Sequence, residues 1–291
     1  MADDEAKRPI RISRQESYLS VKLTPLRVDD ATGEETAAAS ATGFLWAEDD
    51  KWYLITNHHV VTGWHPETGR AISPTAFSPT HLAFQIYLEM NSGPHGSRLQ
   101  TSKAFRLELA KDGEPVWFQH PILGDKVDVV AIPLFDPPNE EELEKLGAIA
   151  VLSVPVNRHP GWVTFKPAVA DDAYVLGFPK GMSGGPFAIW KRASIASEPD
   201  IDLDGLPKLL IDTATRSGMS GAPVVAFRRG FTSPTGKIED ALLGDCLAFL
   251  GVYSGRIGDD TLGLQLGIVW KASTVEEIVV GQAIGRWPWD L

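Results

Sequence analysis

The sequence predicts an all-β protein built as two β-barrels with a short C-terminal helix. Three observations carry that expectation. Period-two alternation of apolar and polar residues recurs in short segments bounded by Gly, Pro and Asp turns. No βαβ alternation is present, which argues against a parallel sheet. Helix signals are scarce, with one clear capping-box pattern near the end of the chain.

The elements follow in order. Residues 1–16 are polar and read as a flexible arm. Ser20–Leu26 alternates with period two. Ala41–Trp46 runs into Glu48-Asp49-Asp50-Lys51, a hairpin turn, and Trp52–Thr56 returns. The stretch Gly63–Gln100 holds His65, Pro66, Pro74, Pro79 and Pro94 among small polar residues and reads as one long insertion, a class of loop that is usually functional or mobile. Phe105–Leu109 alternates again, Lys111-Asp112-Gly113 turns the chain, and Pro115–His120 follows. Asp128–Leu134 completes a first barrel over residues 17–135. A Pro-rich and then acidic stretch marks a linker over 136–155, with one helical turn. Ala173–Phe178, Ala188–Lys191, Lys208–Asp212, Ala222–Phe227, Ala248–Val252 and Leu264–Trp270 supply the strands of a second barrel within 156–291. Ser273-Thr274-Val275-Glu276 is the capping box expected to open a helix through Gly281.

Bulk properties narrow the partners. With 291 residues and 43% hydrophobic content the chain has material for a sizeable core. A net charge of −11 argues against nucleic acid or an anionic membrane as partner, since both select basic faces. No apolar run approaches the roughly 18 residues of a membrane span. The charged start, Met1 to Arg8, leads into no apolar leader, so a cytoplasmic location is expected. One cysteine, Cys246, excludes an internal disulfide framework and reads as a small buried strand residue.

Three motifs carry chemistry. Leu54-Ile55-Thr56-Asn57-His58-His59-Val60-Val61 ends a β-branched run on a histidine. Val127-Asp128-Val129-Val130-Ala131-Ile132 opens a buried-looking strand with an acid. Gly218-Met219-Ser220-Gly221-Ala222-Pro223 flanks a serine with glycines before an apolar strand. A serine hydroxyl is a poor nucleophile until an imidazole takes its proton, and the imidazole needs a carboxylate to fix its tautomer. The order His, Asp, Ser is one of those used by known triads.

Together these residues resemble the chymotrypsin-fold serine peptidases, and among them the bacterial trypsin-like group that includes the HtrA/Deg enzymes. Thr56-Asn57-His58-His59-Val60-Val61, Asp128-Val129-Val130-Ala131-Ile132 and Gly218–Pro223 are similar to that group's three signatures, over roughly residues 18–284. The resemblance implies two antiparallel six-stranded barrels with the site between them, and a serine endopeptidase acting on protein or peptide substrates through an acyl-enzyme. It implies His59, Asp128 and Ser220 as catalytic, with the amides of Gly218 and Ser220 as the oxyanion hole. No metal and no organic cofactor are implied. Ala214, Gly251 and Tyr253 fall where the family forms its primary pocket. With no acid at Ala214, and with Tyr253 or Arg256 narrowing the space, a small or medium apolar side chain is expected there. No PDZ domain is expected, and Met219 replaces the acid that secreted members pair with a new N-terminus.

Alternatives stand beside each residue. Gly181-Met182-Ser183-Gly184 repeats the nucleophile pattern, but Ser183 follows Asp128 too closely. His58 neighbours His59, and strand alternation points the two to opposite sides. Asp125 sits in a Gly-Asp-Lys turn where Asp is common for local reasons. For the whole chain, the alternatives are a latent protease switched on by a regulatory protein partner and a silent binding module on the same fold.

Overall fold

The computed structural model describes residues 14–29, 31–66, 68–90, 99–134, 140–145, 148–162, 165–233, 237–256 and 265–289. Strands dominate it. β1 (Ser20–Val28), β2 (Glu35–Ala37), β3 (Ala41–Glu48) and β4 (Lys51–Thr56) lead into the single-turn helix α1 (His58–Thr62). The small pair β5 (Trp64–His65) and β6 (Arg70–Ala71) precedes two long strands, β7 (His81–Met90) and β8 (Leu99–Glu108). A short hairpin, β9 (Ala110–Lys111) and β10 (Glu114–Pro115), comes before β11 (Phe118–Gln119) and β12 (Val130–Pro133). Then come α2 (Glu140–Lys145) and β13 (Ala148–Val151).

Of these, β1–β4, β7, β8 and β11–β13 join one ten-stranded sheet whose tenth member is β20 (Ala283–Ile284); its path is β13-β7-β1-β3-β4-β12-β11-β20, with β2 paired on β1 and β8 on β7. No ladder among the described residues closes it. The second half is a closed six-stranded barrel. Its strands are β14 (Asp172–Gly177), β15 (Ile189–Ile195), β16 (Lys208–Asp212), β17 (Pro223–Thr232), β18 (Leu242–Arg256) and β19 (Leu266–Lys271). α3 (Ala272–Gly281) follows, and β20 (Ala283–Ile284) crosses back to pair with β11.

Four local expectations change. Residues 81–90 are not loop: His81 to Leu88 alternates, Leu82, Phe84, Ile86 and Leu88 are buried, and the strand lies between β1, β8 and β13. Ala148–Val151, read as linker, adds a strand to the first sheet. The end of the supposed arm is packed: Glu16 is buried, and just beyond it Tyr18 is buried too and the Trp190 indole donates to Ser17 Oγ at 3.0 Å. The remainder of that arm, residues 1–13, falls outside the described residues. Finally, α3 begins at Ala272, so Ser273 lies inside its first turn and caps nothing; Lys271 is the N-cap and makes no side-chain cap bond. Packing decides that helix, since Val275, Ile278 and Val279 share one buried face at helical spacing.

Three apolar clusters hold the molecule together. Leu23, Leu45, Leu54, Leu82 and Ile86 belong to the core of the first sheet, and Val175, Ile195, Ile211, Val224 and Val269 to that of the barrel. The third cluster draws on both halves: Phe44 and Ile55 from the sheet, Leu176, Val225 and Val252 from the barrel, and Ile278 from α3. Burying one such side chain is worth about 1.5 to 3 kcal/mol, so the two halves are joined by a shared core. Cys246 is buried within β18. Among the described residues no helix is long and apolar enough to cross a membrane.

Candidate active site

The seam between the halves gathers the three motifs. Asn57 ends the β4 run in an extended conformation, and the chain then turns through α1 rather than continuing as strand. His58 and His59 are therefore successive helical residues, not alternating strand residues. Helical geometry still separates them: His58 is buried, while His59 faces the cleft. Asn57 carries no cap bond; its Nδ2 instead donates to the Asp128 carbonyl at 2.6 Å, tying α1 to the start of β12.

Asp128 is 4% exposed and is held from several sides. The His59 backbone N–H donates to Oδ1 at 2.9 Å, and His59 Nδ1 lies 2.7 Å from Oδ2. The Ser254 hydroxyl donates to Oδ2 from the end of β18. Burial pushes the Asp128 carboxyl up. The positive charge available to His59 and the donors from His59 and Ser254 together outweigh it, holding the group below the usual carboxylate range. An ionised carboxylate only accepts, so Nδ1 must carry the ring proton and Nε2 is left as an acceptor. Asp125 makes no contact of this kind. It lines a separate cavity with His58, Trp64, His65 and Arg286.

Ser220 stands on a loop with two left-handed glycines, Gly218 at φ 97° and Gly221 at φ 83°. Both conformations are enforced by close approach. A Cβ on Gly218 would meet the Phe178 carbonyl at 2.4 Å, and one on Gly221 would meet the Thr42 carbonyl at 2.1 Å. Met219 is buried in the barrel core and anchors the loop. The Lys180 amide donates to the Ser217 carbonyl at 2.6 Å. Thr42, from β3 of the other half, donates its Oγ1 to the Gly218 carbonyl at 2.7 Å and its amide to the Ser220 carbonyl at 2.9 Å. The same Oγ1 accepts the Phe178 amide, and the Thr42 carbonyl accepts Thr56 Oγ1 at 2.8 Å. His59, Gly218 and Ser220 line one cavity of about 150 Å³.

Not every residue singled out in the sequence reaches that cavity. Ser183 is exposed on the loop after Gly181, away from it. Tyr253 points into the barrel core, where its hydroxyl bonds Thr215 and burial pushes its phenol up to about 12; it does not line this cavity. Gly251 is a packing glycine on β18, because a Cβ there would meet the Trp270 carbonyl at 1.7 Å. Ala214 is half-buried and does not line the cavity. The sequence does not show the roles of two contributors. Ser254 falls in Gly251–Ser254, which resembles the strand that family members pair with the substrate backbone, and nothing there marks its bond to Asp128. Thr42 lay in an Ala-Thr-Gly run that looks like plain strand.

An all-β body in two halves, with an imidazole gripped by a buried carboxylate where they meet, is the architecture of chymotrypsin-like hydrolases. Residues 41–231 match the family model of the trypsin-like peptidase domain, and the chain belongs to that family of serine peptidases. No functionally curated protein matches it in sequence. Two solved structures are similar to it. One is Rv3671c of M. tuberculosis, a serine-to-alanine mutant in an inactive form, at 18% identity and TM-score 0.43, covering 91% of this chain and 86% of that one. The other is the Rv3671c protease of M. tuberculosis in its active form, at 17% identity and TM-score 0.41, covering 93% of this chain and 83% of that one.

Proposed function

We propose that the protein is an endopeptidase in which Ser220 is the nucleophile, His59 the general base and Asp128 the group that orients it. The 2.7 Å contact between His59 Nδ1 and Asp128 Oδ2, with His59 lining the same cavity as Ser220, carries this reading. His59 Nε2 takes the proton of Ser220 Oγ as Oγ attacks the peptide carbonyl. The amides of Gly218 and Ser220 receive the oxyanion, and one such donor is worth about 10²–10³ in turnover. His59 then gives its proton to the leaving nitrogen, and water, deprotonated by the same ring, releases the acyl group. Protein or peptide chains are the substrates. A small or medium apolar side chain is the choice for the primary pocket, because Ala214, at the position where the family places that pocket's base, carries no charge.

Labelling with a fluorophosphonate probe tests the assignment. The wild-type protein and Ser183→Ala should label, and Ser220→Ala and His59→Ala should not. Labelling that survives Ser220→Ala, or a folded wild-type protein that never labels, would sink it.

A further inference from the structure

We infer that the cavity beside Ser220 receives the leaving half of the substrate and selects an aliphatic or single-ring side chain immediately after the scissile bond. The inference rests on the roles given above to Ser220 and His59. The direction follows from the proton. His59 must protonate the leaving nitrogen, so the leaving half has to pass along His59 and the helix that carries it. The cavity lies there: its walls include His59, Val60 and Gly63 at α1, and no residue of β18.

The chemistry follows from the lining. Ala39, Val60, Ile72, Phe77 and Pro79 face the space, and His59 is the one lining residue with a charge-bearing side chain. An apolar cavity of about 150 Å³ is large enough for a benzene-sized group. Ser40, Ser73 and Ser217 add hydroxyls to the lining, but no Lys, Arg, Asp or Glu does, so a carboxylate or ammonium entering it would lose water and find no fixed ion-pair partner beyond His59.

The far wall is the segment after α1, and it is built in advance. Gly63 has φ 80°, and the Phe77 carbonyl occupies the place of its missing Cβ, 2.0 Å from where that atom would stand. The Ile72 amide donates to the Gly63 carbonyl at 2.8 Å, the Phe77 amide to Ser73 Oγ at 2.8 Å and the Trp64 indole to Ser78 Oγ at 3.2 Å. These bonds fold residues 64–66 and 68–78 back against α1, so little ordering remains there for the substrate to impose.

Acyl transfer isolates this subsite from every other part of the enzyme. An N-acyl-alanine thiobenzyl ester acylates Ser220 and expels benzyl thiol. The acyl-enzyme is then divided between water and an added amino-acid amide. When the amide's free amine attacks, its nitrogen bonds the acyl carbon as the bond to Ser220 Oγ breaks, and its proton returns through His59 to the serine. The ratio of captured products counts acylated enzyme alone and is independent of how much protein is active. Leucinamide and phenylalaninamide should outcompete glycinamide by roughly tenfold or more, with the α-amide of aspartate captured least. Ile72→Asp, at a side chain 52% exposed, should raise capture of lysinamide relative to leucinamide by about tenfold. Equal capture of all amides during normal ester turnover would overturn this inference and leave the serine peptidase assignment standing. An unchanged lysinamide ratio in Ile72→Asp would remove Ile72 from the subsite and overturn the wall described here. Failure to form any acyl-enzyme would overturn both readings.

Discussion

Asp128 holds His59 twice, by the ring through Oδ2 at 2.7 Å and by the backbone through Oδ1 at 2.9 Å. Position and rotation of the imidazole are thus set by one carboxylate. In Asp128→Asn the shape survives, but an amide N–H can face Nδ1 and favour the wrong tautomer. We expect kcat for peptide hydrolysis to fall about 10⁴-fold, with KM little altered. A fall below tenfold in steady-state kinetics would show that the carboxylate is dispensable.

Ser254 contributes to the same carboxylate from the other half of the molecule. A hydrogen bond to a charged group is worth about 1.5–3 kcal/mol, and Ser254→Ala should cost that order of stability at pH 7. The sign with pH is fixed by the depressed Asp128 carboxyl. Its stabilisation is present above the unfolded value near ~3.9 and is lost as pH falls through the folded value. Removing Ser254 brings the two values closer. The gap between wild type and variant in urea unfolding should therefore shrink from pH 7 to pH 3. A gap that is constant across that range would refute the charge-linked role.

Gly221 and Gly185 share a left-handed backbone, at φ 83° and 74°, but not surroundings. Alanine costs about 1–2 kcal/mol at either for conformation alone. At Gly221 the new Cβ also meets the Thr42 carbonyl at 2.1 Å and Thr56 Oγ1 at 2.4 Å; at Gly185 nothing lies within 4 Å. Gly221→Ala should abolish probe labelling and lower the melting temperature well beyond Gly185→Ala, which should still label. Equal melting shifts would mean that the seam relaxes around the methyl group.

His58 is buried, and burial pushes its ring below the usual histidine range, with His59 adding to that and Asp128, Asp125 and the Arg286 backbone opposing. As pH falls below ~6.5 the unfolded chain takes the proton first. Stability present at neutral pH is then lost as pH falls through the folded value. Melting temperatures at pH 7.5 and 5.0 should separate more for the wild type than for His58→Gln. Identical separations would assign the acid sensitivity elsewhere.

How much of this was legible in the sequence depends on range. The strands around Phe44, Leu54, Val130, Val175 and Val224 show in local alternation or in short apolar runs, and the three motifs announce themselves because each joins a reactive residue to such a strand. Helix α1 was hidden because Val60 and Val61 favour strand, and only the Asn57 bond to the Asp128 carbonyl and the turn at Gly63 reveal why the chain coils there. β7 was legible from His81 to Leu88, but the prolines on either side concealed it. Ser254 and Thr42 act across 126 and 176 residues of chain, to Asp128 and Gly218. No local pattern encodes such a partner. The burial of Tyr253 has the same origin, since strand position alone did not show that its ring fills the barrel.

Thr42 is a residue of one half that grips the carbonyls on both sides of the other half's Met219. The two halves are therefore not interchangeable parts. A hybrid that joined this first half to a foreign second half would inherit a formed nucleophile loop only if the newcomer offered two carbonyls at the places of Gly218 and Ser220. The threonine's neighbour across the seam, not the boundary between barrels, sets where such a chain can be cut and rejoined.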